Sequence, residues 1–166
     1  MSTAGPAALP QPVLVRGTGL LGTSIGLALR GRGVEVLLHD PSPSAVAVAQ
    51  DIGAGRAVEL EEDVVAAGAG EGADMTTPGT VVVAAPPDVA GRVAVDSLRR
   101  WPETVVMDIA SVKASVQADV RAAVGKGLLS AEAATRYVGT HPMAGRERSG
   151  PCLLYTSDAA DDLLCV

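Results

Sequence analysis

Three glycines within six residues, Gly17-Thr18-Gly19-Leu20-Leu21-Gly22, separate two stretches of opposite character. Before them runs Val13-Leu14-Val15, a short apolar run that reads as a buried strand. After them, Leu20 to Arg30 carries apolar residues at Leu21, Ile25, Ala28 and Leu29, a helical spacing that Gly31 and Gly33 stop. A chain that leaves a buried strand and enters a helix in so few residues has little freedom. Gly17 allows the tight turn, Gly19 lets a ligand approach the backbone, and Gly22 lets the helix lie close on the sheet. The first turn of such a helix offers free amide N–H groups and a partial positive charge, which suit phosphates. The cofactor-binding residues expected here are Gly17, Gly19, Leu20, Leu21 and Gly22.

The partner signal is an acid at the end of the second strand, about 20 residues further on. Asp40 meets it, following the apolar run Val34–Leu38. A carboxylate there can bind both hydroxyls of a ribose and would repel a 2′-phosphate, so NAD is expected in preference to NADP. His39, beside it, reads as a solvated residue of the rim. Asp40-Pro41-Ser42-Pro43 breaks the chain, and Ser44 to Gln50 reads as a second helix with Ser42 as its N-cap and Pro43 in its first turn.

The middle is less regular. Ala57–Leu60 is expected as a strand, Glu61–Ala67 as a short helix and Gly68–Gly79 as a long loop. Order returns with a strand over Thr80–Ala84, ended by Pro86-Pro87, then a helix over Asp88–Trp101. A strand over Val105–Ile109, a helix over Val112–Val124 capped by Ser111, and a last strand over Tyr137–Gly139 complete the pattern. Strands alternate with helices throughout. The expected fold is α/β: a Rossmann-type, doubly wound, mostly parallel sheet with helices on both faces.

Composition agrees. The chain of 166 residues is 48% hydrophobic but only 2% aromatic, so its core must be built from Val, Leu, Ile and Ala, which favours buried strands under closely packed helices. The net charge of -6 and the absence of a basic cluster beyond Arg99-Arg100 argue against nucleic acid and anionic membranes as partners. No apolar run approaches the ~18 residues that a membrane span requires. Residues 1–12 lack a basic segment and a long apolar segment, and read as a disordered leader. A cytoplasmic location is the expectation.

Two motifs lie beyond the strand ends, where open parallel sheets bind ligands. Pro86 closes one strand and would form part of a wall beside the cofactor. Asp108-Ile109-Ala110-Ser111-Val112-Lys113 follows the next. Ser111 offers a hydroxyl, which can cap a helix and bind a ligand at once. Asp108 and Lys113 suit either a local ion pair or a ligand role. A third motif, Gly139-Thr140-His141-Pro142-Met143-Ala144-Gly145, follows the last strand. A neutral imidazole there could accept a proton, which the oxidation of an alcohol requires.

With these motifs in order, the chain resembles the prephenate dehydrogenases, including the arogenate-using enzymes, over residues 13 to about 150. GTGLLGTS, VVVAAPP, DIASVK and GTHPMAGRERSG carry the resemblance. It implies oxidative decarboxylation of prephenate to 4-hydroxyphenylpyruvate, with a hydride passing to NAD, on the way to tyrosine. It implies His141 as the catalytic histidine that takes the hydrogen bond of the ring hydroxyl, and Ser111 as the serine that helps hold that hydroxyl and the nicotinamide. It further implies a second, helical domain that completes the prephenate pocket and forms a homodimer.

The chain is expected to lack that second domain, with 13–150 the cofactor-binding domain alone. Residues 151–166 carry the only cysteines, Cys152 and Cys165, with three Asp and no Lys or Arg. They read as a non-native tail, and no further ligands accompany the cysteines to make a metal site. The chain alone is therefore expected to bind NAD weakly and to turn over little. The competing readings are another NAD(P)-dependent dehydrogenase, acting on arogenate, a hydroxy acid or a cyclic imino acid, and a non-catalytic NAD-binding regulatory module that would not need His141 or Ser111.

Overall fold

The computed structural model describes residues 9–60 and 77–141. The expected helix over Glu61–Ala67, most of the following loop, the first eight residues, the motif beyond His141 and the tail lie outside the described residues.

Six strands form one sheet: β1 (Val13–Arg16), β2 (Val36–His39), β3 (Arg56–Ala57), β4 (Thr80–Val83), β5 (Val105–Asp108) and β6 (Tyr137–Gly139). Their spatial order is β3-β2-β1-β4-β5-β6, and every pairing is parallel. The helices are α1 (Leu20–Arg30), α2 (Pro43–Asp51), α3 (Pro87–Arg100), α4 (Lys113–Gly125) and the short α5 (Ala131–Ala134). Because successive strand residues point to opposite faces, each strand feeds two cores. Leu14, Leu37, Val81, Val83 and Val106 pack with Ala90, Ala94 and Leu98 of α3 and Val116, Val120 and Ala123 of α4. Val13, Val15, Val36, Leu38 and Val82 face the other way, with Ala49 of α2 and, from α1, Ile25 and Leu29. Both faces are covered, which is why the strands read as unbroken apolar runs. The doubly wound α/β fold expected from the sequence is the fold observed.

β2 starts two residues later than expected and takes in His39, which pairs in register with Arg16 and is 7% exposed; it is not a solvated rim residue. The strand expected over Ala57–Leu60 shrinks to Arg56–Ala57, because this edge segment pairs with β2 alone and both of its residues are exposed. α4 starts at Lys113, and its N-cap position is Val112 with no side-chain hydrogen bond, so Ser111 does not cap it. Asp108 accepts the Ala110 N–H instead, drawing this segment into a turn before the helix begins. α5 was not anticipated; Ser130 caps it by accepting the Ala133 N–H at 3.0 Å. The cap expected at Ser42 is present, accepting from Ala45 N–H, with Pro43 opening α2. Among the described residues no helix is long and apolar enough to cross a membrane.

Candidate functional site

All six strands run the same way, so their carboxyl ends gather at one edge of the sheet. Strand order reverses between β1 and β4, and the crevice outside that point is the usual ligand position in such sheets. A cavity of about 720 Å³ opens there.

The glycine-rich turn forms its floor. Gly17 has φ +108°, and an added Cβ would lie 2.6 Å from the Ala84 carbonyl oxygen, so only glycine fits between β1 and the end of β4. At Gly22 an added Cβ would lie 1.9 Å from the Gly17 carbonyl oxygen; this position is buried beneath the turn and does not line the cavity. Gly19 is different: nothing lies within 4 Å of its missing Cβ, so its backbone faces open space. Gly19 is also the N-cap of α1 and makes no side-chain cap, which leaves first-turn amides available to an anion. The turn therefore has the shape and polarity that a pyrophosphate needs.

Asp40 lines the cavity at the end of β2. Its Oδ2 accepts the Thr18 N–H at 2.7 Å and its Oδ1 the Ser42 N–H at 2.8 Å. The carboxylate thus ties the glycine turn to the entry of α2. Leu20 and Leu21 line the cavity as half-exposed apolar residues, 48% and 46% exposed. Pro86 lines the far wall at the N-cap of α3. Ser111 and His141, both exposed, complete the lining from the β5 and β6 sides. Of the residues expected to bind the cofactor or carry the chemistry, all but Gly22 line this one cavity; Asp108 and Lys113 do not.

Two residues of the site region, Arg16 and Tyr137, escaped sequence reasoning. Arg16, on the cavity wall, sends its guanidinium to α3, with Nη1 2.5 Å from Asp96 Oδ2 and 2.9 Å from Ser97 Oγ. A charged residue closing an otherwise apolar strand was the available signal. Asp108 is fully buried, and its Oδ1 pairs with Lys113 Nζ at 2.5 Å, which settles the ion-pair reading of these two. Its Oδ2 accepts the hydroxyl of Tyr137 at 2.6 Å, a partner that nothing in the sequence announced.

Burial, then the hydrogen bond to Asp108 and the negative charge of that carboxylate, hold the Tyr137 phenol well above the usual tyrosine range. Its folded-state pKa exceeds its unfolded value, so the stability it contributes is complete below the unfolded value of about 10 and falls as pH rises beyond it. An ultraviolet titration of the phenolate band should show a late-ionising component that disappears in Tyr137→Phe. Loss of stability in alkali should also be shallower in that variant; an unchanged titration curve would contradict the buried contact.

The family model described as the nucleotide-binding domain of prephenate dehydrogenase matches residues 25–158. A probable prephenate dehydrogenase of Streptomyces niveus, NovF, is 38% identical over 141 residues, covering 85% of this chain and 33% of its own length. Among solved structures, a putative prephenate dehydrogenase of Corynebacterium glutamicum is 27% identical with a TM-score of 0.58, over 87% of this chain and 40% of that one. Synechocystis arogenate dehydrogenase shares the fold, with 20% identity and a TM-score of 0.57, over 84% of this chain and 43% of that one. So does a 3-hydroxyisobutyrate dehydrogenase of Mycobacterium tuberculosis, with 20% identity and a TM-score of 0.54, over 84% of this chain and 41% of that one. The chain spans about a third of the length of the curated relative it matches.

Proposed function

Since this chain belongs to the prephenate dehydrogenase family and matches its nucleotide-binding domain, we propose that it supplies the NAD-binding part of an enzyme that oxidatively decarboxylates prephenate. The observation that carries the reading is a single cavity at the sheet's switch point, which gathers the glycine turn, Asp40, Ser111 and His141. The open backbone at Gly19 and the uncapped first turn of α1 would hold the pyrophosphate. Asp40 would take the ribose hydroxyls, and Leu20, Leu21 and Pro86 would give the cofactor apolar contact. Bound there, NAD supplies the hydride acceptor.

The chain's own residues then do two things. Ser111 holds the ring hydroxyl of the substrate and orients it. His141 accepts the hydrogen bond of that hydroxyl, which pushes electron density toward the carbon that gives up its hydride. As the hydride leaves, the bond from the ring to its carboxylate breaks, carbon dioxide departs, and the released electron pair completes the aromatic ring. The hydroxyl proton stays with the phenol product. Orientation of the reacting groups carries much of the rate enhancement in such a scheme. The remaining wall of the prephenate pocket and any dimer contact are assigned to the portion of its relatives that this chain does not span.

Titrating the chain with NAD and with NADP, followed by calorimetry, tests the cofactor reading. NAD should bind the more tightly. Asp40→Asn keeps an oxygen for one of the two backbone amides but removes the charge. It should narrow the preference by about tenfold or more, as expected when a like-charge clash is relieved. Absence of NAD binding, or equal affinity for both cofactors in the parent chain, would sink the reading.

A further inference from the structure

Asp108 has none of its surface exposed, and a buried charge is costly unless each oxygen finds a partner. Here the partners come from both segments that carry the proposed chemistry. Oδ1 accepts the Ala110 N–H at 2.9 Å, and Ala110 precedes Ser111. The Asp108 main-chain oxygen accepts the Thr140 N–H at 2.9 Å and the Thr140 hydroxyl at 2.6 Å, and Thr140 precedes His141. Pairing between β5 and β6 ends at Asp108 with Gly139, so these bonds hold the two segments together just where the sheet stops holding them. Lys113 balances the charge on Oδ1, and the Tyr137 hydroxyl satisfies Oδ2. Gly139 leaves room for this packing: an added Cβ would lie 3.1 Å from the Lys113 side chain and 3.4 Å from the Tyr137 hydroxyl.

Asp108, Lys113 and Tyr137 do not line the cavity. A buried ion pair is also a poor source of stability, since apolar side chains of like volume commonly do as well. What such a cluster supplies better than apolar packing is a defined geometry, because its hydrogen bonds are directional. We propose that Asp108 is a positioning residue which, with Lys113 and Tyr137, fixes Ser111 and His141 in one arrangement at the cavity without itself meeting substrate or cofactor. This rests on the reading of Ser111 and His141 given above.

The chain contains two histidines, His39 and His141, so their ring proton signals in nuclear magnetic resonance are separable, and His141→Asn assigns them. In Tyr137→Phe and Lys113→Met the His141 signal should shift or split while the His39 signal stays in place and NAD affinity is unchanged. Lys113→Arg, which keeps the charge, should return the His141 signal to its original position. If Lys113→Met does not fold, Tyr137→Phe carries the test alone, since it removes one hydrogen bond and no charge. A His141 signal unmoved in Tyr137→Phe overturns the proposal. Equal disturbance of both histidines also overturns it, by showing a general structural role. Failure of the parent chain to bind NAD would instead count against the function, and would leave the His141 comparison to be read by itself.

Discussion

Gly22→Ala is expected to unfold or strongly destabilise the chain, by ~3 kcal/mol or more, and to abolish NAD binding with it. The added methyl would lie 1.9 Å from the Gly17 carbonyl oxygen and 3.0 Å from the Ala84 Cβ. Neither neighbour can retreat cheaply. Gly17 is held by its N–H bond to the His39 carbonyl at 2.8 Å, and Ala84 by its N–H bond to the Arg16 carbonyl at 2.8 Å. The informative control is Gly19→Ala. Gly19 has φ -67°, which any residue accepts, and open space where its Cβ would go. That variant should fold with nearly parental stability, within ~1 kcal/mol, yet bind NAD poorly because the methyl stands where the pyrophosphate must approach. Thermal denaturation and NAD titration of the two variants separate the roles. A stable Gly22→Ala would contradict the close packing of α1 on β1. A Gly19→Ala with full NAD affinity would move the cofactor elsewhere.

His141→Asn is expected to leave NAD binding by the chain intact. Prephenate turnover should fall by about 10²–10⁴-fold when the variant is assayed in a chain extended by the remaining length of its curated relative. Asparagine keeps the approximate size and polarity of the side chain, but its amide oxygen is a far weaker base than imidazole and draws less electron density from the ring hydroxyl into the reacting carbon. The two readouts distinguish function classes. An NAD-binding regulatory module would lose nothing on either count, whereas an enzyme loses turnover alone. A joint loss of NAD binding would show that His141 supports the fold of the cavity and not the chemistry proposed for it.

How far the site could be read in advance depends on the range of the interactions involved. The glycine turn was legible because strand, turn and helix are contiguous and the roles of Gly17 and Gly22 follow from close backbone approach. Ser42 as a cap and Pro43 in the first turn were legible for the same local reason. Ser111 was misread as a cap because the competing pull comes from Asp108, whose side chain takes the Ala110 amide and leaves the helix to begin later. His39 was misread as solvated because its burial depends on β2 pairing through to Arg16. Tyr137 gave no signal at all. It meets Asp108 only because β6 lies beside β5, a pairing that separation along the chain does not reveal.

The alternation of strand and helix, the glycine turn that joins the first pair, and a carboxylate at the end of the second strand are all written in local stretches of the chain. These follow from spacing and residue type over a few positions, where backbone geometry leaves little choice. The strand order, the gathering of Ser111 and His141 at one cavity with the glycine turn, and the tie that Asp108 makes between the two segments carrying them come from folding alone. A parallel sheet brings distant strand ends to a common edge, and a hydrogen bond depends on distance in space rather than along the chain.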